Sequence, residues 1–143
     1  MIYNESPGDI FGVVDLSYAF AHCISRDCKM GAGIAKTFNG RYPGLKSHCL
    51  NSNPQVGVAI LYEYNGRYIF NLVTKTVYYS KPSYSTMRRA LQSMKSYCND
   101  YEIKKIAMPR IGSGLDKLSW RQVRFIIREV FRDTEIEILV KNK

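Results

Sequence analysis

Six short runs rich in β-branched and aromatic residues alternate along the chain with polar and glycine-bearing stretches. Runs of this length and composition predict β-strands, here over residues 2–6, 19–24, 56–62, 67–74, 105–109 and 135–140. Asn65 and Gly66 separate the third run from the fourth. This dipeptide predicts a β-hairpin, because both central positions of a type I′ turn require a positive φ.

Between the strands, apolar residues recur at helical spacing. One set consists of Met87, Ala90, Leu91, Met94 and Cys98, and a second of Trp120, Val123, Ile127, Val130 and Phe131. Ser119 and Gln122 predict a capping box at the start of the second helix, and weaker helical patterns cover residues 33–42 and 44–51. Strands that alternate with helices predict an α/β fold, a single-domain three-layer α/β/α sandwich around a mixed central sheet, over residues 1–143.

The charge of the chain bears on its partners. The 143 residues carry a formal net charge of +9, with a pI near 9.5. Such a chain is expected to meet anionic partners such as phosphates, nucleotides or nucleic acid, although a basic surface that serves solubility explains the charge equally well. Basic residues also recur on the polar faces of the two longer helices, which fits either nucleic-acid contact or a solvated surface: Arg88, Arg89, Lys95, Arg121, Arg124, Arg128 and Arg132.

The apolar runs of the sequence indicate where in the cell the protein is expected, and this in turn indicates the state of its cysteines. No apolar run has the length of a membrane span and no basic start precedes an apolar stretch, so we expect no membrane association and an intracellular location, nuclear or cytoplasmic. The four cysteines, at positions 23, 28, 49 and 98, are then expected to be free thiols. Cys23 and Cys28 have a spacing that zinc permits, but the other two are far apart and the chain has only two histidines, so no metal site is expected.

Two glycine-bearing loops are candidates for a binding site. Residues 29–35, KMGAGIA, precede a candidate helix, and residues 109–116, PRIGSGLD, follow a candidate strand. Glycine lets backbone N–H groups approach an anion closely, and a helix N-terminus adds partial positive charge, so the two loops could grip a diphosphate. Neither loop matches a P-loop or a dinucleotide fingerprint, and a glycine turn with a purely geometric role explains each loop taken alone.

Four sequence blocks resemble the macro domain family. They are GDIF at 8–11, AHCISRDCKMGAGIA at 21–35, GRYIFNLVTK at 66–75 and MPRIGSGLDKLSW at 108–120, in the order and at the spacing of that family. Within it, the chain resembles the branch of terminal ADP-ribose protein glycohydrolases. The resemblance implies a pocket for ADP-ribose and no cofactor. The chain departs from most macro domains in AHCIS, where those proteins carry an Asn-Ala-Ala-Asn type of sequence.

The resemblance also implies roles for individual residues. Asp9 would accept a hydrogen bond from the adenine amino group, and Ile10 would lie beside the base. The diphosphate and the distal ribose would be bordered on one side by Ser25, Met30, Gly31, Ala32, Gly33, Ile34 and Ala35, and on the other by Ile111, Gly112, Ser113, Gly114 and Leu115. The two positions that carry out chemistry in that branch match Lys75 and Asp116.

These residue types suit an ADP-ribosyl hydrolase. A deprotonated lysine amine forms Schiff bases with carbonyls, and an aspartate can move protons during attack and release. The expected reaction removes mono-ADP-ribose from acidic side chains of a modified protein, with Lys75 as nucleophile, Asp116 as acid/base and deacetylation of O-acetyl-ADP-ribose as a side activity. A monomer is expected.

Other interpretations stay open from the residues. Lys75 is otherwise a solvated residue at a strand end, and Asp116 a loop residue that binds backbone amides. The protein is then a reader that binds ADP-ribose without turnover, or one that acts on ADP-ribosylated nucleic acid. Tyr78 and Tyr79, at the expected rim, either stack on a base or cover the core, and we favour cover of the core.

Overall fold

Six strands form one mixed sheet in the computed structural model, which describes residues 1–142. The strands are β1 (Ile2–Pro7), β2 (Tyr18–Ser25), β3 (Ala59–Tyr64), β4 (Arg67–Lys75), β5 (Lys105–Met108) and β6 (Glu137–Asn142). Their order in the sheet is β1-β6-β5-β2-β4-β3, and every neighbouring pair is parallel except β3 with β4. The carboxyl ends of β2, β4 and β5 therefore lie side by side at one edge.

Four helices cover the two faces of this sheet. They are α1 (Gly33–Arg41), α2 (Leu45–Asn51), α3 (Tyr84–Tyr101) and α4 (Trp120–Phe131), and a short 3₁₀ turn, Ile10–Gly12, follows β1. The apolar faces of α3 and α4 pack on one side of the sheet in one cluster of buried residues, and Phe38, Leu45 and Cys49 of α1 and α2 pack on the other. The predicted three-layer α/β/α sandwich is confirmed.

The central strand β2 shows why the fold has two cores. Ala19 and Ala21 face α3 and α4, whereas Phe20 and Ile24 face α1 and α2, since successive side chains of a strand point to opposite faces. Parallel strands buried on both faces are largely apolar rather than alternating, and β2 follows that rule except at His22 and Ser25.

The hairpin between β3 and β4 has the predicted turn. Asn65 has a φ of 49° and Gly66 a φ of 85°, as a type I′ turn requires. The start of β3 differs from the prediction, since the strand begins at Ala59 rather than at residue 56. The reason is Gly57, whose φ of 89° turns the chain just before the strand.

The predicted capping box on α4 is wrong. Ser119 is the N-cap residue of α4, but its side chain accepts no hydrogen bond from the helix. Its own N–H, which the side chain of Gln122 would have to bind, donates instead to the hydroxyl of Tyr84 at 3.0 Å. The capping box occurs on α3, where the Thr86 N–H donates to Ser83 Oγ at 3.0 Å and the Ser83 N–H donates to Thr86 Oγ1 at 3.1 Å.

Several of the helix arginines have partners within the fold. Arg88 of α3 pairs with Glu129 of α4, and Arg124 contacts Glu5 of β1 at 3.2 Å. Arg128 lies over the ring of Tyr3, with 5.2 Å between the guanidinium carbon and the ring centroid. These contacts join helices to each other and to β1, so the periodicity of these arginines reflects packing as well as solvation.

The four cysteines are free thiols, as predicted. Cys28, Cys49 and Cys98 are buried among apolar side chains, and Cys23 is partly buried. No helix within residues 1–142 is both long enough and apolar enough to cross a membrane.

Candidate active site

A cavity of about 460 Å³ opens at the edge where β2, β4 and β5 end. Ligands of open α/β sheets bind at this edge, because the loops that leave the strands lead to helix N-termini there. Lys75 and Asp116 line the cavity, together with most of the predicted ligand-binding residues: Ser25, Met30, Gly31, Ala32, Gly33, Ile34, Ala35, Ile111, Gly112, Gly114 and Leu115.

One wall of the cavity is the loop from β2 to α1. The pairing of β2 with β4 shifts by one residue between Ile24 and Ser25, so that Ser25 lies opposite Lys75. Ala32 is the N-cap residue of α1 and has no side-chain oxygen to bind the first N–H groups of the helix. Those N–H groups and the helix dipole are thus available to an anion in the cavity.

The opposite wall is the loop after β5. The Leu118 N–H donates to the Gly112 carbonyl at 2.7 Å, and the Ile111 N–H donates to the Pro109 carbonyl at 2.7 Å, so the loop is closed by its own backbone. Leu115 is 71% exposed, yet it reaches the other wall. A Cβ placed on Gly33, whose φ is +59°, would lie 3.0 Å from Leu115 Cδ1. The two glycine loops therefore meet at the mouth of the cavity.

Lys75 and Asp116 form an ion pair inside the cavity. Lys75 is the last residue of β4, and Asp116 lies in the loop that follows β5. The Lys75 ammonium donates to Asp116 Oδ1 at 2.7 Å, and the two side chains are 14% and 15% exposed. A proton can pass directly between an amine and a carboxylate at this distance, so the pair can supply a nucleophile and its base.

The ionisable groups around this pair differ in charge state. Burial raises the pKa of the Cys23 thiol to about 12, and the negative charge of Asp116 adds to the effect. Burial alone would also raise the pKa of Asp27, but hydrogen bonds from the Ser25 hydroxyl and from the N–H groups of Tyr78 and Lys29 outweigh it and lower the pKa. A neutral thiol therefore lies beside the pair, and an ionised carboxylate lies in the loop after β2.

Three predicted binding residues do not line the cavity. Asp9 Oδ1 accepts the Phe11 N–H at 3.0 Å and caps the 3₁₀ turn, while Ile10 is buried in the core beneath it. Both follow β1, at the same edge of the sheet. Ser113 donates its hydroxyl to the Arg110 carbonyl at 2.7 Å, which turns the side chain back into its own loop.

Five residues that line the cavity were not among the predicted ligand-binding residues, although two of them begin the 109–116 loop and one was placed at the expected rim. They are Cys23, Ile24, Tyr78, Pro109 and Arg110. The first two immediately precede Ser25 at the end of β2, and the last two follow β5 directly. Position at the carboxyl end of a parallel strand was the signal that could have identified four of them.

The interpretation of Tyr78 and Tyr79 as cover for the core is wrong. Tyr78 is 59% exposed and Tyr79 is 77% exposed. Residues 77–80 form a turn in which the Ser80 N–H donates to the Val77 carbonyl at 3.1 Å, and this turn lifts both rings away from the sheet. The rings pack against each other, with centroids 5.2 Å apart, beside the mouth of the cavity.

The cysteines and histidines were considered above as metal ligands. Among residues 1–142, no group of three or more His, Cys, Asp or Glu side chains is placed to hold a metal ion. His22 is fully buried, stacks on Phe38 with centroids 4.0 Å apart, and its Nε2 lies 2.5 Å from Asn71 Oδ1.

The chain is similar to known proteins of one family. The family model described as Macro domain matches residues 21–127. The chain is 42% identical to ADP-ribose glycohydrolase OARD1 of Bos taurus and 41% identical to that of Homo sapiens. Each alignment spans 133 residues and covers 93% of this chain and 86% of the relative. The chain belongs to the macro domain family.

Solved structures share the fold at low sequence identity. The macrodomain of Thermus aquaticus DarG superposes with a TM-score of 0.86 at 21% identity, over 99% of this chain and 98% of that chain. Thermosipho africanus DarTG in complex with ADP-ribose gives a TM-score of 0.85 at 18% identity, over 100% of this chain and 42% of that chain. Within the family, the chain resembles the relatives that bear the name ADP-ribose glycohydrolase, the branch to which its sequence blocks pointed.

Proposed function

We propose that the protein is an ADP-ribose glycohydrolase that removes mono-ADP-ribose from acidic side chains of modified proteins. The observation that carries this proposal is the Lys75–Asp116 pair, with 2.7 Å between Nζ and Oδ1, enclosed in a cavity between two glycine loops. The identity of 41–42% to proteins named ADP-ribose glycohydrolase supports the same activity. Thermosipho africanus DarTG, which shares the fold, was solved in complex with ADP-ribose, and this supports ADP-ribose as the ligand here.

The cavity suits the diphosphate of ADP-ribose. Residues at the start of α1 and in the 109–116 loop line it from two sides, and an anion would bind favourably at the backbone N–H groups of a helix N-terminus and a glycine loop. With the diphosphate held there, the distal ribose would lie toward the Lys75–Asp116 pair. The ribose carbon that carries the ester would then be within reach of the amine.

The chemistry would run in two steps. Asp116 takes a proton from Lys75, the free amine attacks the anomeric carbon of the distal ribose, and the carboxylate of the modified side chain leaves with the electrons of the broken C–O bond. The new C–N bond leaves two protons on the nitrogen, and opening of the ribose ring moves one of them to the ring oxygen and gives a protonated Schiff base. Water then adds to the imine carbon, the C–N bond breaks, and ADP-ribose and the amine of Lys75 are released.

The same cavity would take O-acetyl-ADP-ribose. Its acetyl group is a carboxylic ester of the same distal ribose, so the diphosphate contacts are unchanged and the ester lies near the same pair. We propose deacetylation of this compound as a side activity.

Release of ADP-ribose tests the proposal. Wild-type protein, incubated with a protein mono-ADP-ribosylated on glutamate, should release free ADP-ribose, measured by chromatography. Calorimetry should give a dissociation constant for ADP-ribose on the order of micromolar, or about 8 kcal/mol. Binding without release from the modified protein would make the protein a reader, and release from modified DNA alone would favour the nucleic-acid alternative.

The role of Asp116 is tested by the intermediate. If the carboxylate mainly helps water to resolve the Schiff base, Asp116→Ala should accumulate Lys75 joined to ADP-ribose, seen by mass spectrometry on the peptide that contains Lys75. Asp100→Ala, on the exposed face of α3, is the matched control and should show no adduct. An Asp116→Ala protein that turns over at the wild-type rate would contradict the assignment.

A further inference from the structure

We infer that Asp27 is a positioning residue for this reaction, which ties the loop after β2 to the segment that follows Lys75 and so fixes the width of the cavity between them. The inference rests on the proposed function. Asp27 does not line the cavity, so the proposed role does not require contact between its carboxylate and the substrate. Its effect would pass through the two walls that it joins.

The two carboxylate oxygens of Asp27 bind different walls. Oδ1 accepts a hydrogen bond from the Ser25 hydroxyl and another from the Lys29 N–H at 3.2 Å, both within the loop after β2. Oδ2 accepts the N–H of Tyr78 at 3.0 Å, across a separation of 51 residues in the chain. The carboxylate thus bridges the binding loop and the segment after the nucleophile.

The segment of residues 76–80 has few other ties to the fold. The Ser80 N–H donates to the Val77 carbonyl at 3.1 Å and the Val77 N–H donates to Ser80 Oγ at 3.2 Å, so these bonds close the turn on itself. Within residues 1–142, the bond from Tyr78 to Asp27 is the one by which this turn reaches another element. One residue earlier, the Arg26 N–H holds the Lys75 carbonyl at 2.8 Å, so residues 26 and 27 together anchor the end of β4.

Anchoring of this end matters because the reacting atoms need a set geometry. Tyr78 lines the cavity and lies three residues after Lys75, whose ammonium is 2.7 Å from Asp116. A displacement of about 1 Å in a reacting group can slow a reaction by roughly a hundredfold. Loss of the Asp27 bridge should therefore slow turnover more than it weakens binding of free ADP-ribose, whose diphosphate is held by other loops.

Replacement of Asp27 by the isosteric asparagine tests the hydrogen bonds of the carboxylate without changing the size of the side chain. Asp27→Asn keeps one acceptor oxygen but presents an NH₂ group in place of the other, so one backbone N–H, that of Tyr78 or that of Lys29, must face a donor. We expect kcat on the mono-ADP-ribosylated protein to fall by about tenfold or more, with KM and the ADP-ribose dissociation constant within about threefold of wild type. Asp100→Asn is the charge-matched control and should leave all three unchanged.

A second pair of variants removes the other partner of the bond. Tyr78 is the second residue of the 77–80 turn and does not have a positive φ, a position at which proline is favoured. Tyr78→Pro removes the N–H that Asp27 binds, whereas Tyr78→Ala removes the ring and keeps the N–H. Tyr78→Pro should have a kcat about tenfold below that of Tyr78→Ala. In the Asp27→Asn background, Tyr78→Pro should cause little further loss of kcat, because both changes disrupt the same bridge between Asp27 and Tyr78.

The outcomes distinguish this inference from the proposed function. If wild type turns over and Asp27→Asn matches Asp100→Asn, or Tyr78→Pro matches Tyr78→Ala, the positioning role is wrong. A rise in KM at constant kcat would also overturn it. If wild type releases nothing, the proposed function fails, and amide hydrogen exchange then tests the bridge by itself. Exchange in residues 76–80 should be faster in Asp27→Asn than in Asp100→Asn. Equal exchange rates in the two variants would refute the bridge.

Discussion

Replacement of Lys75 by alanine should remove hydrolysis and leave ADP-ribose binding largely intact. The change deletes the amine, and no other group that lines the cavity can take its place. The Cys23 thiol lines the same cavity, but burial raises its pKa to about 12, so near pH 7 only about one thiol in 10⁵ is ionised and nucleophilic. The hydroxyl of Ser25 is engaged with Asp27.

The magnitudes follow from this comparison. Loss of a covalent nucleophile without a substitute should lower kcat by on the order of a thousandfold, or about 4 kcal/mol. The diphosphate is expected to bind backbone N–H groups of the two loops rather than Lys75, so the dissociation constant should change by less than about tenfold, or about 1.4 kcal/mol. Lys75→Arg keeps a cation beside Asp116, but a guanidinium is not deprotonated in proteins, so this variant should be as inactive as Lys75→Ala.

The assay is release of ADP-ribose from a mono-ADP-ribosylated protein under single-turnover conditions, with calorimetry for binding. Lys81→Ala, at an exposed lysine six residues away, is the control and should retain wild-type turnover. Hydrolysis at the wild-type rate by Lys75→Ala would refute covalent catalysis. A water attack, with the cavity serving only to orient the ribose, would then be the better account.

Three further predictions concern stability and binding. Burial lowers the pKa of His22 from 6.5 to about 4, so the unfolded chain binds its proton first as pH falls. Between pH 6.5 and about 4 this should cost about 3 kcal/mol in chemical denaturation, and His22→Gln should flatten that dependence. Arg67→Met should lower the free energy of unfolding by about 3 kcal/mol, also by denaturation, because the buried guanidinium donates to the carbonyls of Val13, Asp15 and Tyr18. Gly33→Ala should weaken ADP-ribose binding about tenfold in calorimetry, since its Cβ would press on Leu115, whereas Gly40→Ala, on α1 outside the cavity and with open space around it, should not.

The fold was predictable because its signals are local. Strand composition, helical periodicity and the Asn65–Gly66 turn each depend on residues close together in the chain, and all three match the structure. The error at the start of α4 arose because a distant residue competes for a local group. Ser119 has the sequence of a capping box, but the hydroxyl of Tyr84, 35 residues away, takes its N–H.

The candidate site was predictable only in part, for a different reason. The two glycine loops follow parallel strands, so the topology alone brings them to one edge of the sheet. Tyr78 and Tyr79 are aromatic, which favours burial on average, yet the 77–80 turn that exposes them is closed by the backbone of Val77 and Ser80. Neither residue type nor periodicity reports such a turn.

The proposed site depends both on the topology of the sheet and on hydrogen bonds between residues that are distant in the chain. The alternation of strands and helices places Lys75 at the end of β4 and Asp116 after β5, on either side of β2, although 41 residues separate them in the chain. That placement is accurate to the spacing of strands, about 5 Å, whereas proton transfer needs a contact of about 3 Å. The remaining precision must come from bonds made after the strands end, and the inferred role of Asp27, which joins Ser25 to Tyr78, is to supply part of it. The proposed catalytic pair can thus be located from topology, while the residues inferred to align it are identified only from the hydrogen bonds of the folded chain.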